Sequence, residues 1–395
     1  MSGGRPPYRG GRPTGNRRSN SNRGSSRSSF SDITKFINKP EKLEEEVAYA
    51  SEHSFKDFNL EPLLQKNIEN KGYIHPTPIQ DKAIPVVMSG QDVVGIANTG
   101  TGKTAAFLIP ILNKIIKNPK EKCLVVVPTR ELATQIDDEL KEFAKGSGFF
   151  SVICIGGTNI GPQIRELRHA NNFVIGTPGR LRDLMEQKIL DLSGFKNVVL
   201  DEADRMLDMG FITDIRFMMS AMPKGRHTLF FSATLSSEIE KLIHEFLHEP
   251  VRISVKTRDT AKNVHQDIVR IPRGADKVDV LHDLLIQEGF GKVLVFGRTK
   301  HGVEKLSKEL TKRGIRSESI HGNKSQRDRQ RTLDLFKSDK AQVLTATDVA
   351  ARGLDISGVT HVINFDLPAT YDDYVHRIGR TGRAGELGKA LTFME

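Results

Sequence analysis

Several residue types and patterns are scarce in this chain of 395 residues, and each scarcity disfavours a class of protein. Tryptophan is absent, and the only two cysteines are Cys123 and Cys154. Both lie in apolar runs, so we expect buried small side chains rather than a disulfide or a metal pair. No apolar run approaches the roughly 18 residues of a membrane span, and the first residues lack the apolar core of a signal peptide. We therefore expect a cytoplasmic protein with no disulfide and no membrane partner.

Acidic residues are missing from the first 30 residues, which contain seven arginines and no lysine. The formal net charge of the chain is +10, so this segment supplies seven of the ten excess positive charges. Its other residues are mainly Gly, Ser, Asn and Pro, which cannot bury a core, and we predict a disordered tail over 1–31. Arginines separated by Gly and Ser suit nonspecific contact with RNA, and a solubilising tail is the alternative.

The rest of the chain alternates short apolar runs with helical patterns. One alternation extends to residue 255, a polar stretch over 256–263 is interpreted as a linker, and a second alternation follows. We therefore predict an α/β protein with two tandem parallel-sheet domains, 32–255 and 264–395. An acidic stretch after Pro40 predicts a further helix over about 40–50, whose role the sequence leaves open.

A glycine-rich loop follows the first strong strand pattern, with the sequence Asn98-Thr99-Gly100-Thr101-Gly102-Lys103-Thr104. Its glycines would let backbone N–H groups converge on phosphate oxygens, and the helix that follows adds a positive field. Lys103 would reach the β- and γ-phosphates, and the Thr104 hydroxyl would ligate Mg²⁺. The general phosphate-loop pattern has Gly where this chain has Ala97.

Three carboxylates stand together at the end of another buried strand pattern, Asn197 to Leu200. Asp201, Glu202 and Asp204 would emerge at the carboxyl edge of the sheet, where open α/β sheets bind ligands. Like charges at such distances are costly unless a cation compensates them, and the Mg²⁺ of a bound nucleotide is the candidate. A solvated acidic turn is the alternative.

The second half has no phosphate loop but carries Arg377, Arg380 and Arg383 at spacings of three. Gly379 and Gly382 weaken a regular helix there and suggest close backbone packing. Arginines that cross a cleft can stabilise charge on a transferring phosphoryl group. A solvated basic helix face is the alternative.

Other motifs suit nucleotide and backbone recognition. The amide of Gln80, after two prolines, can match the N6 amine and N7 acceptor of adenine, although a surface glutamine is commoner. Three strand ends combine Gly, Pro, hydroxyl and Arg residues that could bind a phosphodiester chain: 128–133, 156–157 and 177–180.

Together these motifs resemble the DEAD-box ATP-dependent RNA helicases, superfamily 2 proteins with two RecA-like domains. The resemblance covers about 53–394. It is carried by Phe55 with Gly72 to Gln80, 97–104 (A-x-T-G-x-G-K-T in this family, which accounts for Ala97), 128–133, 156–157, 177–180, 201–204, 232–234, 295–299, Gln326 with Arg329, 346–355 and 376–383.

The resemblance implies ATP and Mg²⁺ as cofactors, with residue roles as follows. The nucleotide would be bound by Phe55 stacking on adenine, by Gln80, by Ala97, Asn98, Thr99, Gly100, Thr101, Gly102, Lys103 and Thr104, and by Asp355 on the ribose. Catalysis would use Lys103, Asp201 on Mg²⁺ through water, Glu202 on the attacking water, and the arginine fingers Arg380 and Arg383, with Arg377 left open. Coupling would use Asp204, Ser232, Thr234 and His376. RNA would be bound through its backbone by Arg130, Gly157, Thr177, Gly179, Arg180, Arg298, Thr299, Gly322, Gln326, Arg329 and Thr347.

The implied activity is RNA-stimulated ATP hydrolysis coupled to domain closure, which separates short RNA duplexes or remodels RNA–protein complexes. An ATP-gated RNA clamp or annealing chaperone is the alternative. The motifs disfavour a DNA helicase, and the missing N-K-x-D pattern disfavours a GTPase. We expect a monomer that binds RNA without sequence preference. Members of the family commonly continue with a further helix beyond the position of Glu395.

Overall fold

The computed structural model describes residues 49, 51–98, 100–255, 264–351, 354, 356–382 and 387–394. Five predicted features lie outside these residues: the tail over 1–31, the linker over 256–263, Thr99, Asp355 and Arg383. All of the helix predicted over 40–50 except Tyr49 also lies outside them.

Seven parallel strands form the first sheet, in the order β3-β4-β2-β5-β6-β1-β7. The strands are β1 (Val93–Ile96), β2 (Cys123–Val126), β3 (Ser151–Cys154), β4 (Phe173–Gly176), β5 (Asn197–Leu200), β6 (His227–Ser232) and β7 (Val251–Ser254). Because all seven are parallel, the loops after β1, β5 and β6 open at one edge of the sheet.

Helices accompany this sheet, and we call the whole first unit of elements the first lobe. They are a 3₁₀ turn (Phe55–Phe58), α1 (Pro62–Asn70), α2 (Pro78–Met88), α3 (Lys103–Lys117), α4 (Arg130–Phe143), α5 (Ile160–Leu167), α6 (Pro178–Glu186), α7 (Ala203–Asp208), α8 (Ile212–Ser220) and α9 (Ser237–Phe246). Two apolar cores form from alternate strand residues, with Val199 in one and Val198 in the other. The sheet is therefore covered on both faces, as the continuous apolar runs predicted.

Six parallel strands form the second sheet, in the order β10-β11-β9-β12-β13-β8. The second lobe contains β8 (Val264–Arg270), α10 (Lys277–Leu285), β9 (Val293–Phe296), α11 (Lys300–Lys312), β10 (Ser317–Ile320), α12 (Gln326–Lys337), β11 (Val343–Ala346), α13 (Asp348–Ala351), β12 (His361–Asn364), α14 (Tyr371–Ile378) and β13 (Gly388–Met394). The sequence analysis missed β7 and β8. Both are edge strands whose exposed residues interrupt any apolar run.

The polar residue that opens β5 has hydrogen-bond partners for both atoms of its side-chain amide. This residue, Asn197, is fully buried; its amide oxygen accepts from Lys114 Nζ at 2.8 Å and its amide nitrogen donates to Glu121 Oε2 at 3.0 Å. Cys123 and Cys154 are free and buried, which confirms their interpretation as core residues. Within the described part of the chain, no helix combines the length and apolarity that a membrane crossing requires.

Candidate nucleotide and RNA site

The phosphate loop has a backbone that favours glycine at two positions. Gly100 and Gly102 have φ values of 82° and 92°, in the left-handed region that other residues rarely adopt. A Cβ atom at Gly102 would lie only 2.4 Å from Gln80 Nε2. Alanine at this position would therefore displace the Gln80 amide as well as strain the loop.

Lys103 is the first residue of α3, and its side chain turns back over the loop. Its Nζ donates to the Ala97 carbonyl at 2.9 Å, and the residue is 6% exposed. The Ala97 N–H donates to the Ser232 carbonyl at 3.0 Å, so this residue serves the site through its backbone. A methyl side chain is compatible with that role, which explains how Ala97 can stand where the general pattern has Gly.

Asp201 is a buried carboxylate at the end of β5. It is 3% exposed, and its Oδ1 accepts from the Glu202 N–H at 2.9 Å. Burial raises the pKa of Asp201 to about 6; the Lys103 charge opposes this rise and the Glu202 charge adds to it. A divalent cation would supply the positive charge that this buried acid lacks, so Asp201 fits a Mg²⁺ site.

The first-lobe geometry also limits how such an ion would be held. Among the described residues, no group of three or more His, Cys, Asp or Glu side chains could hold a metal ion. A Mg²⁺ ion beside Asp201 and Thr104 would therefore take most of its ligands from water and phosphate oxygens, as Mg²⁺ commonly does.

Replacing Asp201 by Asn is expected to stabilise the protein free of nucleotide and metal. The folded-state pKa of about 6 exceeds the ordinary value of 3.8, so the native state binds the proton more tightly. Stability from this group is consequently lost as pH rises from about 4 to 6. Two pKa units correspond to about 3 kcal/mol, so Asp201→Asn should unfold later in urea at pH 7.5 than the wild type. The difference should shrink towards pH 4.5, and a constant difference across this range would contradict the prediction.

Asp204 has different partners from Asp201. Its Oδ2 accepts from the backbone N–H groups of Ala233 and Thr234, each at 3.0 Å, and from the Thr234 hydroxyl at 3.2 Å. The Ser232 hydroxyl donates to the Thr234 carbonyl at 2.8 Å. The acidic strand end is thus tied directly to the hydroxyl-bearing segment after β6. The alternative of a solvated acidic turn is wrong, because Asp201, Glu202 and Asp204 are 3%, 4% and 7% exposed.

Gln80 connects the motif formed by Phe55 and residues 72–80 to the phosphate loop. Its Oε1 accepts from the Thr77 N–H at 2.9 Å, and its Nε2 donates to the Gly102 carbonyl at 3.1 Å. The residue is 3% exposed, so the alternative of a surface glutamine is wrong. An amide has two donor hydrogens and two acceptor lone pairs, so the contacts with Thr77 and Gly102 use one of each.

Phe55 is less accessible than the predicted adenine stacking requires. It is 2% exposed, with its ring centroid 5.9 Å from those of Phe58 and Tyr73. Its ring faces are therefore largely covered by the protein in this structure. Tyr73 is only partly buried and lies within the same motif, so it is an aromatic candidate that the sequence analysis did not single out.

Asp81, next to Gln80, anchors the chain that precedes this motif. Its carboxylate accepts from the Tyr49 hydroxyl at 2.7 Å and from the Glu52 N–H at 2.8 Å, and His53 Nδ1 lies 2.7 Å away. Burial opposes ionisation, but these hydrogen bonds prevail and lower the pKa of Asp81. Sequence reasoning missed this residue because its partners lie 28 to 32 positions earlier.

Arg130 and Gly157 come together at the same edge of the first sheet. A Cβ atom at Gly157 would lie 2.0 Å from Arg130 Nη1, so only glycine allows the guanidinium to lie over this turn. Burial lowers the pKa of Arg130, and the nearby charges of Arg329 and Arg180 lower it further, against an opposing effect of Glu131. The positive charge that these three arginines bring to one edge of the sheet suits contact with a polyanion.

Some predicted RNA-binding side chains already have protein partners. Arg180 donates to Gln163 Oε1 at 2.9 Å and to the Thr158 carbonyl at 3.3 Å. The Thr299 hydroxyl caps α11 by accepting from the Gly302 N–H at 3.0 Å. These two side chains support their own loops. The predicted residues that the structure leaves exposed are Gly157, Gly179, Arg298, Thr299 and Gly322, while Thr177 is buried and Thr347 is half-buried.

Gln326 and Arg329 of the second lobe contact the first lobe. Arg329 Nε lies 2.8 Å from Glu131 Oε1, and Gln326 Nε2 donates to the same oxygen at 3.4 Å. The Arg329 and Glu131 side chains are 9% and 4% exposed. Arg329 thus forms a buried ion pair between α12 and α4, and its direct contact with RNA stays a prediction.

The arginines of the second lobe differ from one another. Arg377 pairs through both Nε and Nη2 with Asp348, at 2.5 and 2.8 Å, and Nη1 donates to the Asp366 carbonyl at 2.6 Å. It is 2% exposed and so cannot reach across a cleft.

Arg380 is 5% exposed and donates to the Leu354 carbonyl at 2.7 Å. The alternative of a solvated basic helix face is wrong, since α14 ends at Ile378 and both arginines are buried. His376, at the end of α14, is half-buried.

Two family models match the chain. The DEAD/DEAH box helicase model matches residues 77–242, and the helicase conserved C-terminal domain model matches residues 276–385. These matches coincide with most of the first and second lobes.

Individual relatives and solved structures agree with these models. The chain is 46% identical over 343 residues to the DEAD-box ATP-dependent RNA helicase CshA of Bacillus subtilis, covering 86% of this chain and 69% of that protein. The structure of S. cerevisiae Dbp5 bound to RNA and ADP BeF3 is 30% identical, with a TM-score of 0.78 over 88% of this chain and 90% of that chain. The structure of Mss116p bound to ssRNA and AMP-PNP is 29% identical, with a TM-score of 0.79 over 88% and 76% of the two chains. With two RecA-like lobes, a phosphate loop and an acidic strand end hydrogen-bonded to the segment after β6, this chain belongs to the DEAD-box ATP-dependent RNA helicase family.

Proposed function

We propose that this chain hydrolyses ATP in response to RNA and uses closure of two domains, 32–255 and 264–395, to separate short RNA duplexes or remodel RNA–protein complexes. The observation that carries this proposal is the direct hydrogen bonding of Asp204 to Ala233 and Thr234. It joins the acidic strand end to the segment after β6. The carbonyl of Ser232, the last residue of β6, in turn accepts from the N–H of the phosphate-loop residue Ala97. A change at the nucleotide can therefore move residues at the edge of the sheet that would face RNA.

ATP is the proposed nucleotide, and Mg²⁺ its proposed ion. Lys103 and the loop over 97–104 would hold the phosphates, and Thr104 and Asp201 would hold Mg²⁺, the latter through water. The bound ion would neutralise charge that develops on the phosphate oxygens. Gln80 would orient adenine, Phe55 would contact it after a local rearrangement, and Asp355 would contact the ribose.

Glu202 is the proposed base that orients the attacking water and accepts its proton. Arg380 and Arg383 would stabilise charge on the transferring phosphoryl group, with His376, Asp204, Ser232 and Thr234 coupling that site to RNA. Arg377 is not proposed for this step, since its pairing with Asp348 makes it part of the second-lobe framework. Arg380 would have to exchange its contact with the Leu354 carbonyl for one with the nucleotide.

RNA is proposed to lie along both lobes and to be bound by its sugar–phosphate backbone. Backbone recognition suits an edge with several Gly and hydroxyl residues, and it would be independent of sequence. The direct contacts proposed are Arg130, Gly157, Thr177, Gly179, Arg298, Gly322 and Thr347. Four other residues would instead support these contacts through bonds to neighbouring protein groups: Arg180, Thr299, Gln326 and Arg329.

The Glu131–Arg329 pair should contribute to the closed arrangement of the lobes. Removing one partner of a buried ion pair leaves an uncompensated charge, which costs more than removing both. We therefore expect Glu131→Ala to weaken RNA binding in the presence of AMP-PNP by about tenfold, and Glu131→Ala/Arg329→Ala to weaken it less. Fluorescence anisotropy with a short labelled RNA measures both. Affinity without nucleotide should change little, and equal losses with and without AMP-PNP would contradict the prediction.

An ATP-gated RNA clamp or annealing chaperone uses the same motifs, and the arginine-rich segment before residue 31 suits annealing. Two assays separate the functions. The first is displacement of a short RNA duplex by the full chain and by a chain lacking residues 1–30. The second is release of single-stranded RNA in the presence of a slowly hydrolysed ATP analogue. Rapid displacement with rapid release supports the helicase, whereas long retention without displacement supports the clamp.

Stimulation of ATP hydrolysis by RNA and by DNA of the same sequence tests the nucleic acid preference. We expect RNA to stimulate hydrolysis at least about tenfold more than DNA, because the 2′-hydroxyl distinguishes the two backbones. Equal stimulation would favour the DNA-helicase alternative. A cytoplasmic location and a monomeric state stay predictions.

A further inference from the structure

Arg205 lies deep in the first lobe, directly after the acidic strand end. It belongs to α7 and is 2% exposed, which places it among the largest fully buried side chains of the described residues. Its backbone N–H lies 3.0 Å from the Glu202 carbonyl and 3.0 Å from Asp204 Oδ1. Its main chain is therefore fixed to two acids of the site.

The guanidinium of Arg205 has one acidic partner among the described residues. Its Nε lies 3.4 Å from Glu202 Oε2, and both side chains are buried, at 2% and 5% exposed. Within the same part of the chain, neither Nη1 nor Nη2 of Arg205 has a hydrogen-bond acceptor, and Glu202 Oε2 has no hydrogen-bond donor. The two groups thus face each other at ion-pair distance, and charge is the main link between them.

Arg377 shows what a purely structural buried arginine looks like in this protein. It is equally buried, but it has a two-point contact with Asp348 and donates to Asn364 Oδ1 and to the Asp366 carbonyl. Arg205 has no comparable set of partners. Because burying a charged group costs free energy and an apolar side chain of similar volume often fills such a position with no loss of stability, packing alone does not account for Arg205.

The backbone around Glu202 adds a geometric reason. Glu202 has φ 52° and ψ 48°, the left-handed conformation that non-glycine residues adopt at a cost. The i, i+3 spacing of Glu202 and Arg205 across the start of α7 places their side chains on the same side of the turn. The cation therefore lies beside Glu202, the acid of this strand end that has the left-handed conformation.

We propose that Arg205 is a positioning residue for ATP hydrolysis, which holds the Glu202 carboxylate by its charge in the orientation that receives the proton of the attacking water. This inference rests on the role of Glu202 given under Proposed function. In that step the water oxygen forms a bond to the γ-phosphorus, the bond to the ADP oxygen breaks, and the water proton passes to Glu202. Arg205 would act through Glu202 and is not proposed to touch the nucleotide or the water.

The test compares Arg205→Met with Glu202→Gln and with the double variant. The measurement is the single-turnover rate of ATP hydrolysis at saturating RNA, together with the KM for ATP. We expect Arg205→Met to slow hydrolysis at least tenfold with KM within about twofold of the wild type. Adding Arg205→Met to the Glu202→Gln protein should slow hydrolysis by no more than about twofold relative to Glu202→Gln alone. These slow rates are followed over hours by quenched-flow and manual sampling.

Two controls separate positioning from folding. Arg226 is a half-buried arginine between α8 and β6 whose Nη2 donates to the Phe246 carbonyl at 3.3 Å, and Arg226→Met should leave the single-turnover rate unchanged. Arg205→Lys keeps the charge but not the planar guanidinium, and its rate should lie between those of Arg205→Met and the wild type. If Arg205→Met does not fold, Arg205→Lys decides alone, with at least a threefold loss expected.

Several outcomes would overturn the inference. The first is a wild-type hydrolysis rate in Arg205→Met or, if that variant does not fold, in Arg205→Lys. The second is an effect of Arg205→Met on the KM for ATP alone, with an unchanged rate. The third is a tenfold lower rate on adding Arg205→Met to the Glu202→Gln protein. The last result would assign Arg205 a structural role independent of Glu202. If Glu202→Gln itself hydrolyses ATP at the wild-type rate, the proposed role of Glu202 is wrong. The comparison distinguishes this case because the Glu202→Gln single variant is measured beside Arg205→Met and the double variant.

Discussion

Glu202→Gln is expected to slow RNA-stimulated ATP hydrolysis by about 10²–10⁴-fold while the protein continues to bind ATP and RNA, because a positioned general base contributes an acceleration of that order. The amide keeps the size of the carboxylate and one acceptor oxygen, so the buried position beside Arg205 is preserved. What is lost is the ability to accept a proton. Single-turnover hydrolysis with radiolabelled ATP measures the rate, and a fluorescent ATP analogue measures binding.

The matched control is Glu69→Gln, which alters an exposed glutamate of α1. It should hydrolyse ATP at the wild-type rate. The prediction for Glu202 is wrong if its Gln variant turns over normally, or if the loss of activity follows a loss of nucleotide binding. Retained RNA binding by the slow variant would also provide a means of capturing bound RNA by crosslinking, which is the most direct route to the physiological substrate.

Lys103→Ala is expected to reduce ATP hydrolysis by at least about a hundredfold, since one preorganised cationic donor aimed at developing charge is worth about that much. Here the loss has a second component. The Lys103 charge opposes the burial that raises the pKa of Asp201, so its removal also makes that acid a poorer partner for a divalent cation. A coupled ATPase assay at saturating RNA measures the rate, and titration with Mg²⁺ tests whether higher concentrations restore part of it.

The control for Lys103→Ala lies on the same helix. Lys117 is exposed at the last position of α3 and lies 3.9 Å from Glu61, so Lys117→Ala changes a charge without reaching the phosphate loop. It should be indistinguishable from the wild type. An active Lys103→Ala protein would remove the basis for placing the triphosphate in the loop over 97–104.

The acidic strand end illustrates why the three acids have separate roles. Asp201 is a buried acid whose raised pKa favours a cation, Glu202 faces Arg205, and Asp204 is used by the segment after β6. Their adjacency in sequence indicated a site at this edge of the sheet. The separate role of each carboxylate depends on the residues that it contacts. Those residues belong to α3, α7 and the chain after β6.

The amino-acid sequence by itself determined the fold class, the family and the position of the phosphate loop, because these follow from local patterns. Apolar runs ending in Gly, hydroxyl and acidic residues predict parallel strands with a ligand edge, and the motifs are contiguous in the chain. Two of the four edge strands, β7 and β8, escaped prediction because exposed residues interrupt any continuous apolar run in them.

The tertiary structure alone decided which charged side chains are engaged with one another. Arg329 and Glu131 are 198 residues apart yet form a buried pair, Arg377 is neutralised by Asp348, and Arg205 faces Glu202. From sequence spacing alone, every arginine near a motif is a candidate ligand for phosphate. Only packing fixes which guanidinium meets a carboxylate inside the protein and which one is left facing the edge where RNA would bind, because burial makes an unpaired charge costly and so dictates its partner.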